Sequence, residues 1–118
     1  MTEMVFYEIA TAITTSVVSG TSCFEFGGVA KATHIDHFTP MEPRFASEVA
    51  HAVAGMTRKD ANAAVKKLLK KYEDSMDSPP VGKKYEECWD VHRKIPHEDY
   101  VTFYKNIKKE ISDLGIPF

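Results

Sequence analysis

The chain has 118 residues, 17 acidic and 15 basic side chains, and a formal net charge of −2. That length suits one domain, and 43% apolar with 27% charged residues is too hydrophobic for intrinsic disorder. The slight acidity provides no overall field for phosphate backbones or anionic lipid, so neither a nucleic-acid nor a membrane partner is expected. The longest apolar-leaning stretch, Met4 to Val18, is interrupted by Glu8, Thr11, Thr14, Thr15 and Ser16. It reads as neither a membrane span nor a signal segment, and a cytoplasmic location is expected. Cys23 and Cys88 lie far apart without CxxC spacing, which points to reduced thiols and no cysteine-based metal site.

In chain order, Thr2 to Ser19 places Val5, Ile9, Ala12, Ile13, Ser16 and Val17 on one side at helical spacing, and Gly20 offers the left-handed stop. A helix buried on one stripe is expected. Ser22 to Phe26 reads as a short strand between Gly20 and Gly27-Gly28, extending at most through Val29-Ala30. Thr39-Pro40-Met41-Glu42 then combines a capping threonine, a proline at the first helical position and a glutamate three after the cap. Met41, Phe45, Val49 and Val53 form the stripe of that helix, and Gly55 ends it.

Thr57-Arg58-Lys59-Asp60 resembles a second capping box, opening a helix with Ala61, Val65, Leu68, Leu69, Tyr72 and Met76 on one face. Lys66, Lys67, Lys70 and Lys71 face water in this reading. Periodicity dissolves from Ser78 to Lys94, where Tyr85, Trp89 and Val91 suggest a strap laid over a surface. A last helix from about Glu98 to Leu114 carries Tyr100, Phe103, Tyr104, Ile107, Ile111 and Leu114 on one face.

A lone strand between helices leaves its backbone N–H and C=O groups without partners. Helix, strand, helix is a slice of a larger parallel α/β sheet, so the strand is expected either to join something outside this chain or to be an irregular loop.

A series of short words runs through the chain in register: Thr2-Glu3-Met4, Glu8, Ser19-Gly20, Asp36, Met41-Glu42, Arg44, Glu48-Val49-Ala50 and Ala54-Gly55. It continues through Tyr72-Glu73, Pro80, Gly82-Lys83, Glu87-Cys88, Asp90-Val91, Pro96, Tyr100, Tyr104, Asp113-Leu114-Gly115 and Phe118. The series resembles, nearly end to end, the carboxy-terminal part of the monomethylamine:corrinoid methyltransferases of methylotrophic methanogens. The resemblance implies an α/β fold, the carboxy-terminal segment of a TIM-type (β/α)8 barrel, predominantly helical with one short strand in this chain. Residues 1–55 would be the last helix-strand-helix of the barrel, and 56–118 its carboxy-terminal helices and strap.

Family members use pyrrolysine to hold methylamine for attack by the cob(I)alamin of a partner corrinoid protein. That residue lies upstream of what corresponds to Thr2, so the resemblance assigns no catalytic residue here and implies a chain inactive alone. It also implies no directly bound cofactor. The expected partners are the cognate corrinoid protein and the remainder of the barrel, or further copies of the chain. Met1 falls inside the family pattern, which suggests a truncated gene, an internal start or an isolated piece. The chain departs from the pattern mainly between Thr21 and Pro40, where a histidine-rich loop replaces a more neutral one and Pro40 stands at a usual glycine.

That loop supplies the candidate mouth residues Lys31, His34, Asp36 and His37. Two imidazoles and a carboxylate are ligand types that suit zinc, but neighbours this close rarely chelate one ion unaided and a site needs a third or fourth well-placed ligand, so no metal is expected. Glu42 and Glu48 could be paired acids, yet the capping box accounts for Glu42. Gly27-Gly28 lacks phosphate-cradle spacing. From a different class, the two helices joined through Gly55-Met56 resemble a helix-turn-helix with Thr57, Arg58, Lys59 and Asn62 at the second start, which would make the chain a small DNA-binding module. Asp60 in the same turn and the acidic balance oppose it. A non-enzymatic assembly module is the third reading.

Overall fold

The structure is a computed structural model that describes residues 2–23 and 34–118. The first helix, α1 (Glu3–Val18), begins where Thr2 Oγ1 accepts the Val5 N–H at 3.4 Å, satisfying one of the donors a helix start leaves unpaired. It ends in a Schellman motif: Gly20 N–H donates to Val17 C=O at 3.0 Å, and Thr21 N–H donates to Ser16 C=O at 3.1 Å. Gly20 makes that turn at φ +89°.

The second helix, α2 (Met41–Ala52), follows Pro40, whose φ of −60° is already helical. Glu42 reaches back so that its Oε2 accepts both the N–H and the hydroxyl of Thr39, at 2.9 and 2.6 Å. Thr39 and Glu42 thus bond to each other as the sequence reading expects, but Pro40 rather than Thr39 stands at the cap and the helix begins one residue later than read, at Met41. Thr39 Oγ1 returns the favour to the Met41 N–H at 3.2 Å rather than to the third position. The third helix, α3 (Arg58–Leu69), is capped by Thr57, which accepts the Asp60 N–H at 3.1 Å and donates to the Asp60 carboxylate at 2.7 Å.

Beyond α3 a short 3₁₀ turn (Glu73–Ser75) leads to α4 (Tyr85–Cys88), then a hairpin of β1 (Trp89–Asp90) and β2 (Ile95–Pro96). The strands pair antiparallel, Trp89 with Pro96 and Asp90 with Ile95. Asp90 Oδ1 accepts the Arg93 N–H at 2.9 Å, and Lys94 adopts φ +58° to close the turn. The last helix, α5 (Glu98–Asp113), stops in a second Schellman motif. Gly115 N–H donates to Ser112 C=O, Ile116 N–H donates to Ile111 C=O, and Ile111 and Ile116 are both fully buried, the apolar contact typical of this motif.

α1 lies at the centre, against α2 and α3 along its length and α5 more briefly. Phe6, with no exposed surface, meets Phe45 of α2 and Phe103 and Tyr104 of α5 edge-on, with ring centroids 5.0 to 5.8 Å apart. Phe118 folds back onto Phe45, centroids 5.7 Å apart, beneath the Lys108 ammonium.

Several expectations are corrected. α1 is buried on more than one stripe: Met4, Phe6, Tyr7, Ile9, Ala10, Ile13 and Thr14 are all buried, while Ala12 is exposed. A helix with neighbours on several sides has no single inner face. Ser22 and Cys23 are exposed and outside any strand, and the rest of the expected strand, Phe24 to Ala30, lies outside the described residues. The sheet found among the described residues is instead the β1–β2 hairpin, within the segment read as a strap. The α3 stripe stops short of Met76, which is 58% exposed. Lys71 and Tyr72 N–H donate to Leu68 and Leu69 C=O in tightened turns that still bury Tyr72.

The two helix-ending glycines should respond differently to alanine. At Gly115, φ +120°, a Cβ would come within 3.2 Å of Ala64 Cβ on α3, whereas at Gly20 it would meet nothing within 4 Å. Gly20→Ala is expected to cost about 1 kcal/mol from backbone strain, and Gly115→Ala about 2–3 kcal/mol as crowding adds to strain. Urea unfolding midpoints check this, and equal losses would refute the close packing of the α5 end on α3.

Candidate functional site

The histidine-bearing segment enters the described residues at His34. Asp36 stands at φ +63°, a left-handed position that aspartate tolerates better than most residues, and its C=O accepts the Tyr85 N–H of α4. That bond lays the segment against α4. A shallow depression of about 330 Å³ results, lined by Asp36, Phe38, Thr39, Pro40 and Tyr85. Ile35, just before Asp36 in the chain, is 80% exposed.

His34 and Asp36 are exposed at this surface. His37 is buried, 8% exposed, with Nδ1 2.7 Å from the Ile35 C=O and its ring centroid 5.4 Å from that of His34. The structure thus brings His34, Asp36 and His37 to one loop, whereas Lys31 lies outside the described residues. No group of three or more His, Cys, Asp or Glu side chains among the described residues is arranged to hold a metal ion.

The supposed acid pair separates completely. Glu42 is fully buried against Thr39, and Thr39 Oγ1 lies 3.2 Å from the Tyr100 hydroxyl. A hydroxyl bonded to a carboxyl could suggest an activated nucleophile, but both side chains are sealed from solvent and their geometry is that of a helix start. Glu48 instead faces α5. Its carboxylate accepts from Arg44 Nε at 2.8 Å, the Tyr104 hydroxyl at 2.9 Å and Lys108 Nζ at 2.7 Å.

Burial works against the Glu48 charge, but the hydrogen bonds from Lys108, Arg44 and Tyr104 outweigh it and hold the carboxyl at about 2. Burial first, then the bonded Glu48, pushes the Tyr104 phenol well up. A similar junction ties the turn after α3 to α5 and α1: Glu110 accepts from Lys71 Nζ at 2.7 Å and from the Tyr7 hydroxyl. The Glu48 cluster was not expected as a unit, because Tyr104 and Lys108 stand 56 and 60 residues away in sequence.

The geometry therefore shows helix-joining polar clusters and a shallow surface loop. The sequence matches the family model for monomethylamine methyltransferase MtmB over residues 1–116. The chain belongs to this family. Monomethylamine methyltransferase MtmB1 of Methanosarcina barkeri is 36% identical over 117 residues, covering 99% of this chain and 26% of the relative. MtmB of Methanosarcina mazei is 35% identical with the same coverage. The crystal structure of the M. barkeri monomethylamine methyltransferase matches with a TM-score of 0.93 at 36% identity, over 99% of this chain and 26% of that one. A crystal structure of the hydroxylamine MtmB complex matches equally, with a TM-score of 0.93.

The chain thus spans about a quarter of the length of these relatives, 26%. Methyltransferase membership replaces the DNA-binding module as the family reading. Arg58, Lys59 and Asn62 are exposed on α3, but Asp60 is bonded to Thr57 in the same turn. Among the described residues no helix is long and apolar enough to cross a membrane.

Two measurements test this electrostatic picture. Zinc is expected to leave the melting temperature unchanged, because His34 and His37 lack a third ligand among the described residues. A zinc-dependent rise abolished by His34→Ala would overturn that. For Glu48, the folded value of about 2 lies below the ordinary 4.5. Its stabilising contribution is therefore present above pH 4.5 and is lost as pH falls toward 2. Glu48→Gln should flatten the acid limb of stability against pH, and Glu48→Ala should cost roughly 1.5–3 kcal/mol at neutral pH. An unaltered acid limb in Glu48→Gln would show that the cluster does not stabilise the fold.

Proposed function

We propose that the chain serves as the carboxy-terminal part of a monomethylamine methyltransferase, which moves the methyl group of monomethylamine to the cob(I)alamin of a cognate corrinoid protein during methanogenesis from methylamines. The observation that carries this reading is the match over 99% of the chain at a TM-score of 0.93 to a solved monomethylamine methyltransferase of which it spans 26%. In this reading the whole enzyme is a TIM-type barrel, and α1 and α2 belong to its outer helical ring on either side of the last strand. Lys31, His34, Asp36 and His37 would lie at the mouth, and the remaining barrel, or further copies of the chain, would be the structural partner. A cytoplasmic location goes with this role.

In this reading the described residues hold no corrinoid themselves. The depression at the histidine loop is shallow, and His37 spends Nδ1 on the Ile35 carbonyl. The reading therefore leaves the corrinoid on its partner protein and assigns these residues no chemical step. Their contribution is to shape and support a site completed elsewhere in the polypeptide.

Methyl transfer from monomethylamine to a reduced corrinoid protein, followed by the absorbance of methylcobalamin, tests the proposal. The 118 residues alone are expected to give none. Replacing the matching segment of the M. barkeri relative with this chain should yield an active chimera, since 36% identity accompanies a nearly superposable fold. Product formed by the chain alone would refute its dependence on a larger enzyme, and a folded but inactive chimera would refute its equivalence to the family's segment.

A further inference from the structure

Glu42 presents a problem that helix capping does not resolve. Its side chain has no exposed surface, and its Oε2 accepts two bonds from Thr39 while its Oε1 has no hydrogen-bond partner. None of the ion pairs among the described residues includes it: Arg44, two positions on, turns to Glu48. A carboxylate buried without a cation and with one bare oxygen is among the costliest arrangements a protein interior can hold, whereas a carboxylic acid there needs far less compensation.

The ionisable groups that act on Glu42 do not relieve this. From α5 comes Tyr100, whose phenol is pushed up by burial and then by Glu42, and from α4 comes Cys88, whose thiol burial also pushes up. Both are neutral near pH 7. Burial, the largest influence, outweighs the opposing bonds from Thr39 and from the backbone N–H of Glu42 itself and leaves the carboxyl above its ordinary 4.5.

We propose that Glu42 is a proton-dependent anchor: with its proton it clamps the segment 36–40, the rim of the surface depression, to α2 and α5, and without it water must enter and the clamp opens. The path of the clamp is continuous, from Glu42 Oε2 to the Thr39 N–H and hydroxyl, and from Thr39 Oγ1 to the Tyr100 hydroxyl of α5 and the Met41 N–H of α2. The inference concerns the chain itself and does not rest on the methyltransferase reading.

The sign follows from the raised folded value. Anchoring is complete below 4.5 and is lost as pH rises through the folded value of Glu42, because above it the native state must carry a buried charge. The experiment is amide hydrogen exchange, as protection factors, in the 118-residue chain over an increasing pH series, with a ¹³C titration of the Glu42 carboxyl in the same samples. Protection at Thr39 and Met41 should fall about tenfold per pH unit from 4.5 up to the Glu42 titration point and level off above it. Val53, whose N–H donates to Val49 C=O inside the core, should hold steady.

Glu42→Gln keeps an acceptor for Thr39 and cannot ionise, so it should retain protection at every pH, while Glu42→Ala should lose it at every pH. Titration of the carboxyl at or below 4.5 would overturn the proposal. So would an equal pH-dependent fall in Glu42→Gln, or a parallel fall at Val53, which would signal global opening rather than release of the segment.

Discussion

Everything else in this structure leans on the burial of Phe6. A single ring on α1 touches Phe45 from α2 and both Phe103 and Tyr104 from α5, so three helices with 97 residues between their outermost contacts share one apolar junction. Edge-to-face geometry makes that junction directional as well as apolar, since a ring edge must find a ring face. Removing so large a side chain from the centre would cost about 3–5 kcal/mol, a large share of what a domain this size has to lose.

Around that junction the chain uses its polar residues to hold helices at fixed angles. Glu48 gathers Arg44 from its own helix and Tyr104 and Lys108 from α5, while Glu110 gathers Lys71 and Tyr7. Each glutamate is partly exposed, where water relieves the charge and hydrogen bonds can still select a geometry. Glu42 shows the opposite arrangement, fully buried with neutral partners. Three glutamates thus serve three different electrostatic situations, and the difference comes from what surrounds each one.

The helical assembly carries the histidine-bearing segment without enclosing it. Asp36, held by the Tyr85 N–H, and Thr39, held by Glu42, fix two points of a segment whose Ile35 and Phe38 side chains remain at the surface. The segment is braced from behind and open in front, on a chain that spans 26% of its relatives. Membership of the methyltransferase family came from the residue series in register. No single side chain on the page would have revealed it.

The sequence by itself marked most of the helix ends, although α3 stops earlier than its periodicity suggested and α4 left no such mark. Thr2, Thr39 and Thr57 at the starts, and Gly20 and Gly115 at the stops, act through hydrogen bonds spanning three to five residues, so their effect is written locally. It also determined the inward faces of α2 and α5, each of which packs from one side and keeps a simple period. The tertiary structure alone decided the rest. α1 hides residues on several faces because it is central, and periodicity cannot report neighbours on more than one side. The partners of Glu48 lie 56 and 60 residues away, beyond any local pattern. Trp89 and Ile95 entered a hairpin too short to leave an alternating signature, and Glu42 lost its contact with water only when α5 and α4 closed over the start of α2. A carboxyl's charge depends on the medium around it, and that medium exists only once distant segments have packed.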